Sequence, residues 1–366
     1  MAEIEKGRFR EGPPFFVRPK NGSFMLHCII DMENLWPRGP SEPPRNQGFR
    51  MSGRTVLKIR SPEPPAAANT IAQAYDAIGA RYGAYADGQS TTPFDFGGRY
   101  SYGDRRLWAA IENKLVAFAE SGRDRIRILD VGCGPGVWLQ RAVERACALG
   151  IPFVDAMGID ISGAQVAIAR LRTAALSTLR GVSIRIIEGD VTAGLPVADE
   201  TVDLCLCLNA VLNHLEAGSQ DIAAAELARV TRGHLIATVR TVGSMPSIYV
   251  DGVEAAADFR QDNDADQLSV DLRDGRHIEF PSHLFRATEL EALFACYIMV
   301  SRLTGLDLFH SRFAPDPRWN PREGHEDDAF HADLERLEQT YGADPHFIDH
   351  ATHLLLIAEP QRLMEC

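Results

Sequence analysis

The sequence predicts a doubly wound α/β fold, and three observations carry that prediction. From residue 126 onward, short apolar runs alternate with amphipathic ones, the pattern of β-α-β-α units around a parallel sheet. The first apolar run enters Asp130-Val131-Gly132-Cys133-Gly134-Pro135-Gly136, where glycines let a ligand approach bare backbone. Acidic residues then recur at the ends of the following runs, the edge at which open α/β sheets take their ligands.

Composition narrows the function classes. The 366 residues leave room for one large domain or two modest ones. No apolar run approaches the roughly 18 residues of a membrane span, and Met1 to Glu11 lacks the apolar core of a secretory signal. The net charge of −12 argues against nucleic acid as a partner. The charge is uneven: residues 1–60 carry +5 and the remainder −17. Lysine is absent beyond Lys114, which excludes a Schiff-base or P-loop lysine after the glycine turn. Seven cysteines without a CxxC pair fit a reducing cytoplasm better than a disulfide framework. His346, His350 and His353 form no recognised metal spacing, so no metal is expected.

Residues 1–66 are broken by repeated prolines and read as an irregular or disordered extension. Met51 is an alternative start, which would place the upstream part outside the native protein; a basic interaction tail is the other reading. Ile71, Tyr75, Ile78 and Tyr82 share one face of a helix over 69–85. A glycine-rich aromatic stretch follows (Phe94, Phe96, Arg99, Tyr100, Tyr102), and Asp104 opens a second helix. Strands are expected at 126–131, 155–161, 183–188, 202–208 and 235–239. The helices between them run over 137–149, from the Ser162 cap to about 177, and over 219–231. The alternation then breaks. Asp274-Gly275 marks a hairpin between 268–272 and 277–280, Thr288-x-x-Glu291 a capping box, and 298–303 and 352–358 two more strands. The polar connection of about 306–350 is long enough to be a lid or a functional insertion.

Four strand ends carry the chemistry. Val137 stands where a dinucleotide fingerprint has its third glycine, and Pro135 removes a donor that a pyrophosphate would use. Asp160, 28 residues after Gly132, can accept both hydroxyls of a ribose. Asp190, in Glu188-Gly189-Asp190-Val191, can accept from an exocyclic amine between apolar neighbours. Polar groups gather again after the fourth strand, at Asn209, Asn213 and His214. Each element alone has a structural alternative: a tight turn, a helix N-terminal charge, a strand-end turn, a packed histidine.

Together, ILDVGCGPG at 128–136, GIDIS at 158–162, EGDV at 188–191 and the 195–215 segment resemble the class I S-adenosylmethionine-dependent methyltransferases, over about 125–240. The resemblance implies a seven-stranded, mostly parallel, Rossmann-like sheet with an antiparallel last strand, plus an inserted hairpin or lid. It divides 67–366 into a helical cover (67–120), the core, and insertions at 245–285 and 306–350 that form the acceptor side. It implies S-adenosyl-L-methionine as cofactor. Gly132, Gly134 and Gly136 would line its methionine part, with Asp130 ordering the turn. Asp160, followed by Ile161, would hold the ribose; Asp190 and Val191 would read the adenine; Asn209 would face the amino end. Tyr75 and Tyr82 would close over the cofactor. Many members read L-E-H-L where this chain has Leu212-Asn213-His214-Leu215, leaving one carboxylate fewer near the acceptor. His214 is the candidate general base; Arg99, Tyr100, Tyr102, Arg240, His310 and Arg312 are candidates for the acceptor pocket. The expected activity is O- or N-methylation of a small molecule by a cytoplasmic monomer or homodimer. An NAD(P)-dependent oxidoreductase and a non-catalytic cofactor-binding module are the competing readings.

Overall fold

A computed structural model describes residues 66–78, 94, 96, 100–244, 256–313 and 328–360. The elements are α1 (Ala66–Ile78), α2 (Ser101–Glu120), β1 (Arg125–Val131), α3 (Val137–Ala148), β2 (Phe153–Asp160), α4 (Gly163–Thr173), β3 (Val182–Glu188), β4 (Val202–Cys207), α5 (Ser219–Val230) and β5 (Thr231–Arg240). After them come β6 (Ala256–Asp262), β7 (Gln267–Leu272), β8 (His277–Pro281), α6 (Ala287–Ala295), β9 (Met299–Leu306), α7 (His310–Phe313), α8 (Asp328–Tyr341) and β10 (His353–Glu359).

Seven strands form one sheet in the order β3-β2-β1-β4-β5-β10-β9. β10 runs antiparallel to both its neighbours, and the other six share one direction. This is the sheet that the resemblance implies. Alternation along each strand makes two cores. Ile126, Ile128, Leu204 and Leu206 pack with Leu107, Ile111 and Leu115 of α2 and Leu139 and Val143 of α3. Leu129, Val131, Cys205 and Cys207 pack on the other face with Ala223 and Leu227 of α5 and Leu290 and Phe294 of α6. Burial on both faces explains why β1 and β4 read as continuous apolar runs.

The chain between β5 and α6 folds into a separate antiparallel sheet, β6-β7-β8. The Asp274-Gly275 turn joins β7 to β8, with Gly275 at φ +88°. β6 was not expected from the sequence. This small sheet carries α1: Ile71 and Ala74 pack on Leu268 and Phe280.

Several boundaries are corrected. α2 opens at Ser101, before Asp104, because Asp104 N already donates to Tyr100 O at 2.8 Å. α4 stops at Thr173 rather than about 177. α6 opens at Ala287, so Thr288 is not its cap. Glu289 accepts from Arg286 N, and the remote Asp349 accepts from Ala287 N at 2.7 Å, a partner no local pattern reveals. The 306–350 connection is not polar throughout: Leu308, Phe309, Leu334 and Leu337 form their own core.

That connection is keyed to α2. Asp307 is fully buried at φ +57°, and a Cβ on Gly103 would lie 2.3 Å from its Oδ2. Gly103→Ala is expected to destabilise the fold by about 1–3 kcal/mol through this overpacking, measurable as a lower urea midpoint.

Candidate functional site

The glycine turn is built from β1 outward. Gly132, Gly134 and Gly136 all take positive φ, at +70°, +50° and +79°. Gly132 N and Cys133 N donate to Ile159 O at 2.7 and 3.0 Å, stitching the turn to β2. A Cβ on Gly132 would lie 2.2 Å from Val211 Cγ2, so the position has no room for a side chain. Gly136 starts α3 and lets it approach α4: a Cβ there would meet Ala169 at 3.1 Å.

Asp160, at the end of β2, organises this turn. Its Oδ2 accepts from Gly134 N at 2.7 Å and its Oδ1 from Ser162 N at 2.9 Å. Burial raises its pKa against the pull of those two bonds. Each carboxylate oxygen keeps a second lone pair for a ligand hydroxyl. Asp130 lies behind the turn, fully buried. Burial first, then the charge of Asp160, pushes its pKa up to about 7, while a hydrogen bond from the backbone of Leu139 in the first turn of α3 opposes the rise.

A crevice of about 660 Å³, counting its open mouth, lies above these strand ends, a size typical of small-molecule sites. Gly132, Gly134, Asp160, Ile161, Asp190, Val191, Asn209 and His214 all line it. Asp130 and Gly136 are not on its wall. Tyr82 and Arg99 lie outside the described residues. Asp190 caps the turn at Val191–Ala193, with Oδ1 accepting from Thr192 N and Oγ1, both at 2.8 Å. Asn209 and Ala210 are consecutive non-glycine residues at φ +57° and +73°, a strained pair of the kind found at functional sites. Thr238 Oγ1 on β5 supports them, accepting from Asn209 N at 2.8 Å. Sequence reasoning missed the apolar walls, Val131, Ile159, Val211 and Leu215, whose signal is only ordinary hydrophobicity.

His214 closes one end. Its Nδ1 lies 3.0 Å from Pro281 O and its Nε2 3.0 Å from the Tyr75 hydroxyl. A carbonyl only accepts, so Nδ1 carries the proton and Nε2 accepts from Tyr75. Burial first, then the charge of Arg240, lowers the His214 pKa to about 4 against the Pro281 bond, so the ring is neutral at pH 7. α1 is held over the crevice by this bond and by Asp76, whose Oδ1 accepts from Ser162 Oγ and from Ala164 N at 3.1 Å.

Asn213 does not face the acceptor side as expected. It is fully buried, its Nδ2 donates to the carbonyls of Arg240 and His283, and its Oδ1 accepts from Arg240 N at 2.9 Å. A carboxylate cannot donate these bonds, which is why an amide stands there. The other expected acceptor residues that are described are not among those lining the crevice. Tyr102 stacks on His310, Tyr100 meets the His353 ring edge-on, Arg240 is buried, and Arg312 Nη2 donates to Gly243 O at 2.7 Å.

Residues 128–234 match the family model described as "Methyltransferase domain". No curated relative matches the chain. Among solved structures, the [4+2]-cyclase SpnF is similar at 18% identity, covering 81% of this chain and 98% of its own, with a TM-score of 0.47. Magnesium protoporphyrin IX methyltransferase from Synechocystis PCC 6803, solved with S-adenosylhomocysteine, is similar at 12%, covering 80% and 99%, with a TM-score of 0.46. The DhpI–S-adenosylhomocysteine complex is similar at 13%, covering 80% and 97%, with a TM-score of 0.42. These three likenesses are remote. The family match falls on the glycine turn and the strand ends that line the crevice. By that match, residues 128–234 are a methyltransferase domain.

Asn213→Asp is expected to cost about 3 kcal/mol, because a buried carboxylate would face two carbonyls. Urea unfolding measures the loss, which should shrink at acid pH as the new carboxyl takes up a proton.

Proposed function

We propose that this chain is an S-adenosyl-L-methionine-dependent methyltransferase acting on a hydroxyl or amine of a small molecule, with His214 as the base and Tyr75 as its partner at the acceptor. The observation that carries the cofactor half is Asp160, a strand-end carboxylate on the crevice wall that also holds the Gly134 backbone. The residues present fit the cofactor. Gly132 and Gly134 offer bare backbone to its methionine part, supported from behind by Asp130 and Gly136. Asp160 and Ile161 would hold the ribose, Asp190 and Val191 the adenine edge, and Asn209 the amino end. The bound cofactor supplies an electrophilic methyl on a sulfonium; the protein supplies proximity and alignment.

On the acceptor side, Tyr75 lines the crevice and donates its proton to His214 Nε2, and a phenol oxygen also accepts. An acceptor O–H or N–H would donate to that oxygen. As the acceptor's proton moves onto Tyr75, the Tyr75 proton moves onto Nε2, and Pro281 O keeps the Nδ1 proton in place. The net charge of −12 and the α1 cover support a small acceptor rather than a polyanion.

Three outcomes test this reading. Calorimetry should show S-adenosylhomocysteine binding, and Asp160→Ala should weaken it at least about 10-fold through lost charge-assisted hydrogen bonds; unchanged affinity removes Asp160 from the site. With the acceptor found by a labelled-methyl metabolite screen, His214→Ala should lower kcat about 100-fold or more, far beyond its effect on cofactor affinity. Because the folded pKa of His214 is depressed, its base form persists down to about pH 4. The acid limb of kcat/KM should therefore fall near pH 4; a limb near 6.5 assigns the base elsewhere.

A further inference from the structure

The crevice residues do not use one strongly built charged group nearby. His283 lies between β8 and α6, with Nδ1 2.8 Å from Asp266 Oδ2 and Nε2 2.8 Å from Glu289 Oε1. A neutral imidazole has one N–H and can donate to one of these carboxylates only; donation to both requires the imidazolium. The ring also rests edge-on against Phe285, with centroids 4.7 Å apart.

The backbone of the same residue is tied to the turn that carries His214. His283 N donates to Asn213 O at 2.7 Å, and Asn213 Nδ2 donates back to His283 O. Two residues upstream, Pro281 O fixes the His214 tautomer. Between them, Ser282 N donates to Asp266 O at 2.7 Å, and Ser282 exchanges two hydrogen bonds with the Gln261 amide. The Pro281–His283 segment thus backs the turn that carries His214, and the His283 ring is its anchor to the small sheet through Asp266 and to α6 through Glu289.

We propose that His283 is a positioning residue for methyl transfer: held as an imidazolium between Asp266 and Glu289, it fixes the segment whose Pro281 carbonyl sets the His214 tautomer. The inference rests on the assignment of His214 to the site.

The charges around the clasp set its pH range. Asp266 faces His283 from the β6–β7 turn and Glu289 from α6; Arg286 neighbours Glu289, and Asp349 faces Arg286. Arg240 acts on His214. The Glu289 bond, helped by Asp266, raises the His283 pKa to about 9 against the effect of burial. A raised folded pKa means that the clasp's contribution is fully present below the ordinary histidine value and is lost as pH rises through about 9. The His283 bond keeps the Glu289 pKa lowered despite burial, so that carboxylate's share is present above its ordinary value and is lost as pH falls through its folded pKa.

The test is nitrogen-15 NMR of histidine-labelled full-length chain, with S-adenosylhomocysteine calorimetry alongside. In the wild type, His283 should titrate near pH 9, and the His214 nitrogens should report the Nδ1–H tautomer at pH 7.5, changing in step with His283 as pH is raised. His283→Gln should give His214 a mixture of tautomers at pH 7.5. Glu289→Gln, the milder variant, should lower the His283 pKa and move the His214 response with it by the same interval. An unchanged His214 tautomer in both variants, with only a lower Tm, makes His283 a purely structural staple and overturns the inference. A wild type that binds S-adenosylhomocysteine while His214 ignores the His283 titration overturns this inference alone. Failure of the wild type to bind at pH 7.5 instead removes the methyltransferase reading beneath it.

Discussion

The structure around the crevice depends on one carboxylate accepting two backbone N–H groups. Asp160 bonds to Gly134 in the glycine turn and to Ser162 at the head of α4. That head is itself where Asp76 of α1 docks. A single acid thereby sets the relative positions of the turn, the second helix start and the cover. Burial works against its charge, and the paired N–H groups work for it. A ligand hydroxyl donating to the same carboxylate would add to an arrangement already formed, so little reorganisation would be left to the moment of binding.

Sequence made the fold legible from residue 126 because the central strands, β4 above all, are buried on both faces and so read as apolar runs bounded by turns. The strand-end acids were legible for a related reason: Asp160 and Asp190 interrupt such runs where the sheet ends. What stayed hidden depends on distant partners. Nothing near His214 announces that Tyr75, 139 residues earlier, and Pro281, 67 residues later, take its two ring nitrogens. The α6 cap was misplaced because Asp349, 62 residues away, supplies the acceptor.

Asn213 shows how a family pattern can mislead. A missing carboxylate suggests lost chemistry, yet the position points inward and needs a group that donates and accepts at once. The amide joins β5 to the segment behind His214, so the substitution is a change in scaffolding. The inserted β6-β7-β8 sheet has the same character. It contributes the Pro281 carbonyl to His214 and an apolar bed to α1, and thus reaches the site through supports rather than through reacting groups.

Asn209 and Ala210 have a consequence for how this protein can change. Both hold left-handed backbone without being glycine, a conformation that costs of order 1 kcal/mol or more for each such residue. Glycine at either position would relieve that cost, so selection for heat resistance alone would favour it. At 209 the same change would remove the side chain that lines the crevice. At 209 durability and turnover therefore pull in opposite directions, and a variant hardened there would be expected to have traded away part of its work.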